Sequence, residues 1–281
     1  MFNQTAPFQE NVSVTQAANY RETPQFAPSQ ALSKVPEITA LFWVVKILTT
    51  GMGETTSDFL VHQLSPPIAI LIGLTIFVAA LAVQFASRRY KAWIYWLAVL
   101  SVSIFGTMAA DVLHVGLGIS YVASTIFFST ALMLIFTSWY RTEGTLSIHS
   151  IATKRREAFY WATVLATFAL GTAAGDMTAT SLGLGFLGSG VMFASVILVP
   201  LLAWWSLGLP EIPAFWSAYI VTRPLGASFA DWMGVSPERS GLGWGTGSVS
   251  LALGALFMGF VSYIAFTEGD APRGSTGGRD I

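Results

Sequence analysis

The chain has 281 residues, of which 53% are hydrophobic and only 10% charged, with a mean hydropathy of +0.61. Soluble domains carry roughly 25% charged residues, so a soluble globular enzyme is excluded. The net charge of −1 gives no footprint for nucleic acid, and the absence of Cys removes disulfides, thiolate metal sites, iron–sulfur clusters and Cys nucleophiles.

Residues 1–34 are polar and rich in Gln, Asn and Pro. They lack the basic start and apolar stretch of a signal peptide and read as a disordered cytoplasmic tail. Residues 268–281, polar and Gly-rich, read as a second. Between them, 35–267 reads as a membrane domain. A spanning helix needs about 20 mostly apolar residues. The sequence predicts eight, at about 38–62, 66–86, 92–115, 118–139, 158–180, 183–207, 213–233 and 243–266. The connections after the second and fourth spans are basic, with Arg88, Arg89 and Lys91, then Arg141, Lys154, Arg155 and Arg156. Lys and Arg mark the cytoplasmic side. Arg21, Lys34, Arg273 and Arg279 fall on that same side; Arg239 falls on the other, and Lys46 and Arg223 lie within spans. Both termini are therefore expected in the cytoplasm, which requires an even number of spans.

A repeat organises these spans. Phe42-Trp43…Gly53…Asp58, Tyr95-Trp96…Gly106…Asp111, Tyr160-Trp161…Gly171…Asp176 and Phe215-Trp216…Gly226…Asp231 share the pattern aromatic-W-x9-G-x4-D without a gap. The longest Trp-to-Trp interval, Trp96 to Trp161, contains the basic loop around Lys154. Each unit is a helix hairpin, so the expected fold is all-α and polytopic. Eight transmembrane helices form four parallel hairpin repeats at about 35–88, 89–141, 154–208 and 209–267. On these residues the chain resembles a family of bacterial uncharacterised membrane-anchored proteins, built from four tandem two-helix repeats of unknown function. The resemblance implies an eight-helix protein of the bacterial inner membrane and brings no assured activity.

The motif Trp residues sit near the cytoplasmic helix ends, where they are expected as headgroup-level anchors. Each Asp lies about 22 Å further along its helix at 1.5 Å per residue, which places four carboxylates at one depth in the outer half of the membrane. Small residues surround them, such as Thr55, Ser57, Thr107, Ala110, Thr172, Gly175 and Ser228, and small residues let helices approach closely. Glu54, Asp58, Asp111, Asp176 and Asp231 outnumber the intramembrane bases Lys46 and Arg223. Buried charge at the bilayer centre costs at least about 2.5–3.5 kcal/mol, and these bases are too few to neutralise the acids. A guest cation or proton is therefore expected there.

His62 lies four residues after Asp58 and His114 three after Asp111, spacings that share a helical face. Asp with His suits a divalent transition ion, so Asp58, His62, Asp111, His114, Asp176 and Asp231 are the candidate ligands of a bound metal. The leading expectation is a cation transporter, of a divalent metal such as manganese, with proton exchange as a driving force. A membrane scaffold or regulatory subunit and a membrane-embedded metal-dependent enzyme stand as alternatives. HExxH and GxSxG are absent from the sequence. The expected partners are the lipid bilayer and a small inorganic cation or proton.

Overall fold

The computed structural model describes residues 33–267 and Gly269. The predicted tails lie outside these residues, apart from Ser33, Lys34 and Gly269. Among the described residues the regular structure is helical, without strands. The helices are α1 (Ala40–Gln63), α2 (Pro66–Ala86), α3 (Ala92–Asp111), α4 (Tyr121–Glu143), α5 (Lys154–Asp176), α6 (Gly185–Val196), α7 (Leu198–Leu207), α8 (Glu211–Gly234) and α9 (Thr246–Thr267).

Local chemistry sets these boundaries. Thr39, Ser120 and Thr153 accept N-terminal amides of α1, α4 and α5 on their hydroxyls, which satisfies donors that a helix start leaves open. Pro66 opens α2, where a missing amide costs nothing. Gly144 and Gly208 close α4 and α7 in the left-handed conformation. α6 and α7 form one rod interrupted at Ile197, because Pro200 cannot donate to the Val196 carbonyl and its ring crowds it.

Among the described residues six rods are long and apolar enough to cross a membrane: Pro66–Ala86, Ala92–Gly116, Tyr121–Glu143, Lys154–Ser181, Gly185–Leu207 and Thr246–Thr267. The other two of the expected eight, α1 and α8, are long enough but more polar. α1 carries Lys46, Glu54 and Asp58, and α8 carries Glu211, Arg223 and Asp231.

The first helices of the four repeats form a closed inner ring: α1 packs on α3, α3 on α5, α5 on α8, and α8 back on α1. The second arm of each repeat lies outside, chiefly against the first helix of the following repeat. Thus α2 covers α3, α4 covers α5, α6 and α7 cover α8, and α9 closes the circle on α1. The outer rods expose rows of large apolar side chains, among them Leu71, Val78, Ile126, Leu201 and Leu251. An apolar surface of that extent suits lipid rather than water.

The motif glycines explain how the inner ring closes. A Cβ on Gly53 would lie 1.8 Å from Ser103 Oγ, on Gly106 2.7 Å from Phe168 Cβ, on Gly171 2.1 Å from Arg223 Cγ, and on Gly226 1.7 Å from Thr50 Oγ1. Ser103, Phe168, Arg223 and Thr50 all stand three residues before the motif Gly of the next repeat. Each glycine is therefore the socket for one side chain of its neighbour, taken in the same rotational sense around the ring. Lipid tails are as apolar as Leu, so close van der Waals packing of this kind is what holds membrane helices together.

The motif aromatics repeat the same rule. Phe42 meets Trp96 at 5.6 Å between ring centroids, Tyr95 meets Trp161 at 5.7 Å, Tyr160 meets Trp216 at 6.2 Å, and Phe215 meets Trp43 at 5.7 Å. Trp96, Trp161 and Trp216 are buried in this cluster and Trp43 is half-buried. These rings are thus not the headgroup anchors expected from the sequence. Their spacing from the glycine puts them on the interhelical side of each helix, where they interlock into a plug. The segment before α1 is tied to the same end: Val35 is buried, and Lys34 pairs with Glu157 at 2.7 Å. Ser33 and Lys34 therefore belong to the packed domain rather than to the predicted tail.

Candidate functional site

Taking residues four apart on each inner helix gives a stripe down one face. On α1 the stripe is Phe42, Lys46, Thr50, Glu54 and Asp58; on α3 it is Tyr95, Val99, Ser103, Thr107 and Asp111. On α5 it is Tyr160, Val164, Phe168, Thr172 and Asp176; on α8 it is Phe215, Tyr219, Arg223, Ala227 and Asp231. Every member before the aspartates is buried, so the stripes face the interior of the ring. Five layers result, about 6 Å apart at 1.5 Å per residue. Four are closed and the fifth, the aspartate layer, is open.

Beneath the aspartates lies a polar layer with one contribution from each repeat. Arg223 Nη2 stands 2.6 Å from Glu54 Oε2 and 2.8 Å from Thr172 Oγ1, and it also contacts Thr107 Oγ1. Thr107 and Thr172 donate to Glu54 Oε2 at 3.2 and 3.1 Å. The guanidinium also donates from Nη1 to the Thr50 carbonyl at 2.7 Å and from Nε to the Phe168 carbonyl at 3.3 Å. Arg223 is fully buried, and such a charge is tolerable only when paired and fully hydrogen-bonded, as here. Ala227 leaves its quarter of the layer free for the guanidinium.

Lys46 is one layer further in and differs from Arg223. Its ammonium lies over the rings of Phe168 and Tyr219, at 4.2 and 4.3 Å from their centroids. Among the described residues its Nζ has no hydrogen-bond partner. Arg223 shares the Phe168 ring, at 5.1 Å. Below Lys46 the aromatic plug completes the seal, with Tyr95 and Tyr160 hydroxyls 2.5 Å apart.

Above the ion-paired layer is a cavity of about 510 Å³. Glu54 forms part of its floor, Asp58, Asp111, Asp176 and Asp231 surround it, and His62, Tyr121 and Arg239 line it toward the loops. Asp231 is only 6% exposed. Among the described residues, none of the four carboxylates takes part in a hydrogen bond or an ion pair. Two aspartates stand at a backbone irregularity: π-helical turns follow directly at Val112–Gly116 and Met177–Ser181. Such turns are frequent at functional sites. α1 and α8 run through Asp58 and Asp231 as ordinary α-helix.

The structure therefore brings together the four motif aspartates, Glu54 and His62 on one cavity, with Arg223 beneath it, paired to Glu54. It holds Lys46 apart, beneath the floor. His114 is also apart: its Nδ1 donates to the Ile119 carbonyl at 2.7 Å and its ring stacks on Tyr121. His62 donates from Nδ1 to the Asp58 carbonyl at 2.6 Å, which leaves Nε2 as its free nitrogen. Among the described residues no three His, Asp or Glu side chains are grouped so as to hold one metal ion. The expected ligands other than His114 are thus distributed around the cavity rather than grouped for one ion. In the sequence Thr107 and Thr172 stand out as small residues around the aspartates and as the counterparts of Glu54 in their repeats. Their position directly after the motif Gly, four before each Asp, is the signal that they share the Glu54 layer. Tyr121 and Arg239 lie outside the motif and carry no such signal.

The cyclic sockets, the aromatic interlock and the aspartate layer all describe one unit used four times. A family model described as a Repeat of Unknown Function (DUF347) matches residues 41–90, 94–145, 159–208 and 214–270. The chain belongs to the DUF347 family. The four matches coincide with the four hairpins, and the motif Gly and Asp of every repeat fall inside them. Neither a curated protein nor a solved structure matches the chain.

Proposed function

We propose that this DUF347 chain is an integral membrane transporter that accepts a cation into the aspartate cavity. All eight rods cross the bilayer in this reading, α1 and α8 included, because the other rods enclose their charges. The basic loops and both termini face the cytoplasm of a bacterial inner membrane. The observation that carries the reading is the convergence of four carboxylates, one per repeat and none with a protein partner among the described residues, on a single cavity. An intramembrane carboxylate is expensive and marks an ion pathway when it faces a bundle interior. Carriage across the membrane then requires the Glu54–Arg223 layer and the aromatic plug to open while the outer mouth shuts. Alternating access of this kind arises when repeats rock against one another around a central site.

A divalent metal such as manganese would keep part of its water shell, since the carboxylates are not grouped as a ready coordination sphere. The test is uptake by proteoliposomes of the purified chain, with Mn²⁺, Na⁺, K⁺, protons and small organic cations as a panel. At least one cation is expected to enter saturably, with the rate cut tenfold or more by Asp231→Asn at unchanged fold and reconstitution efficiency. Rates equal to those of protein-free vesicles for the whole panel would overturn the reading.

A further inference from the structure

We infer that the guest of the aspartate cavity is an organic cation with two or more ammonium groups, a linear aliphatic di- or triamine. This inference rests on the transporter reading above and names its substrate class. Three observations lead to it. First, the acids are spread around a ring. Among the described residues no three acidic or His side chains are grouped for one metal ion, so a guest that reaches several walls fits this ring better than a point charge does.

Second, the cavity is too large for a bare ion and carries apolar groups in its walls as well as acids. Its volume is about 510 Å³, within the roughly 300–1,000 Å³ range of small-molecule pockets. Val61, Ile70, Met108 and Val112 contribute to its walls. Charged ends with an apolar middle match a lining that combines acids with apolar surface. A methylene chain gains from that contact, and ammonium groups at its ends donate to separate carboxylates. Third, Asp231 lines the cavity while 6% exposed and without a protein partner among the described residues. A carboxylate held so far from bulk water, with Arg223 already committed to Glu54, is an acceptor left for a donor from outside the chain. An ammonium supplies three donors and a positive charge.

The experiment compares ligands on the full chain in proteoliposomes and in detergent. Uptake of radiolabelled 1,4-diaminobutane is measured against competition by Mn²⁺, the triamine, 1-aminobutane and 1,4-butanediol, with calorimetric titration of the same compounds. The diamine is expected to bind and to enter saturably. The monoamine should compete at least tenfold more weakly, and the diol not at all. Asp231→Asn and Asp111→Asn should each raise the diamine dissociation constant tenfold or more, with an unchanged elution profile showing that the variants fold. Saturable entry of Mn²⁺ or another inorganic cation, without diamine binding, would overturn this inference and leave the transporter reading standing. Diamine binding without transport of any cation would support the ligand class and overturn the transporter reading. Failure of every compound to bind or move would overturn both.

Discussion

Arg223→Met is expected to destabilise the folded chain by about 3–5 kcal/mol, the loss seen when one partner of a buried ion pair is removed. Three consequences coincide at this position. Glu54, 4% exposed, loses its counter-charge. The Thr50 and Phe168 carbonyls each lose a donor. Thr107 and Thr172 keep their hydroxyls against a carboxylate that no cation now balances. The double variant Arg223→Met with Glu54→Gln should recover most of the loss, because a neutral amide oxygen still accepts from both threonines without an unpaired charge. Equilibrium unfolding in mixed micelles reads both values. A loss below about 1 kcal/mol for the single variant, the range of an exposed pair, would show that the layer is wet or open.

Gly171→Ala is expected to cost about 1–3 kcal/mol, the usual penalty of overpacking, and to do so by adding one methyl group. The new Cβ would lie 2.1 Å from Arg223 Cγ, 2.5 Å from Arg223 Cβ and 3.0 Å from Pro224 Cδ. None of these atoms can retreat alone. The Arg223 stem is held by its guanidinium bonds, and the proline ring is fixed to the α8 backbone. Relief therefore demands that α5 and α8 separate, which loosens the ion-paired layer as well. Gly259→Ala is the matched control: nothing lies within 4 Å of a Cβ there. The same change on α9 should be neutral or stabilise by up to about 1 kcal/mol. Equal losses at the two positions, measured by the same unfolding assay, would contradict the socket role of the motif glycine.

Much of this architecture is legible in the sequence because it is repeated. The fixed distances between aromatic pair, glycine and aspartate identify four equivalent hairpins and set the four carboxylates at one depth. The cavity they share follows once the hairpins close into a ring. Other features escape the pattern for physical reasons. A Trp at a helix end reads equally well as an interfacial anchor or as packing, and only the ring contacts between successive repeats decide for packing. Lys46 and Arg223 look alike as intramembrane bases, yet one layer of depth separates them. Arg223 reaches Glu54, and Lys46 lies over two aromatic faces without a hydrogen-bond partner among the described residues. His114 shares a helical face with Asp111 in an ideal α-helix, but the π-helical turn from Val112 changes the register and carries the ring to Tyr121. α1 and α8 fall outside the six apolar rods because the residues that complete the interior are the ones that lower their hydropathy.

The four aspartates line one cavity, sealed by the layers beneath it. The chain contains no Cys, so any introduced cysteine is its sole thiol. Asp58→Cys, Asp111→Cys, Asp176→Cys and Asp231→Cys can therefore be compared with Val99→Cys and Val164→Cys in sealed, oriented vesicles, using a membrane-impermeant cationic thiol reagent. All four aspartate positions should react from the face opposite the basic loops, and neither valine position should react from either face. Aspartate positions that react only from the basic-loop face, or only with lipid-soluble reagents, would contradict the account.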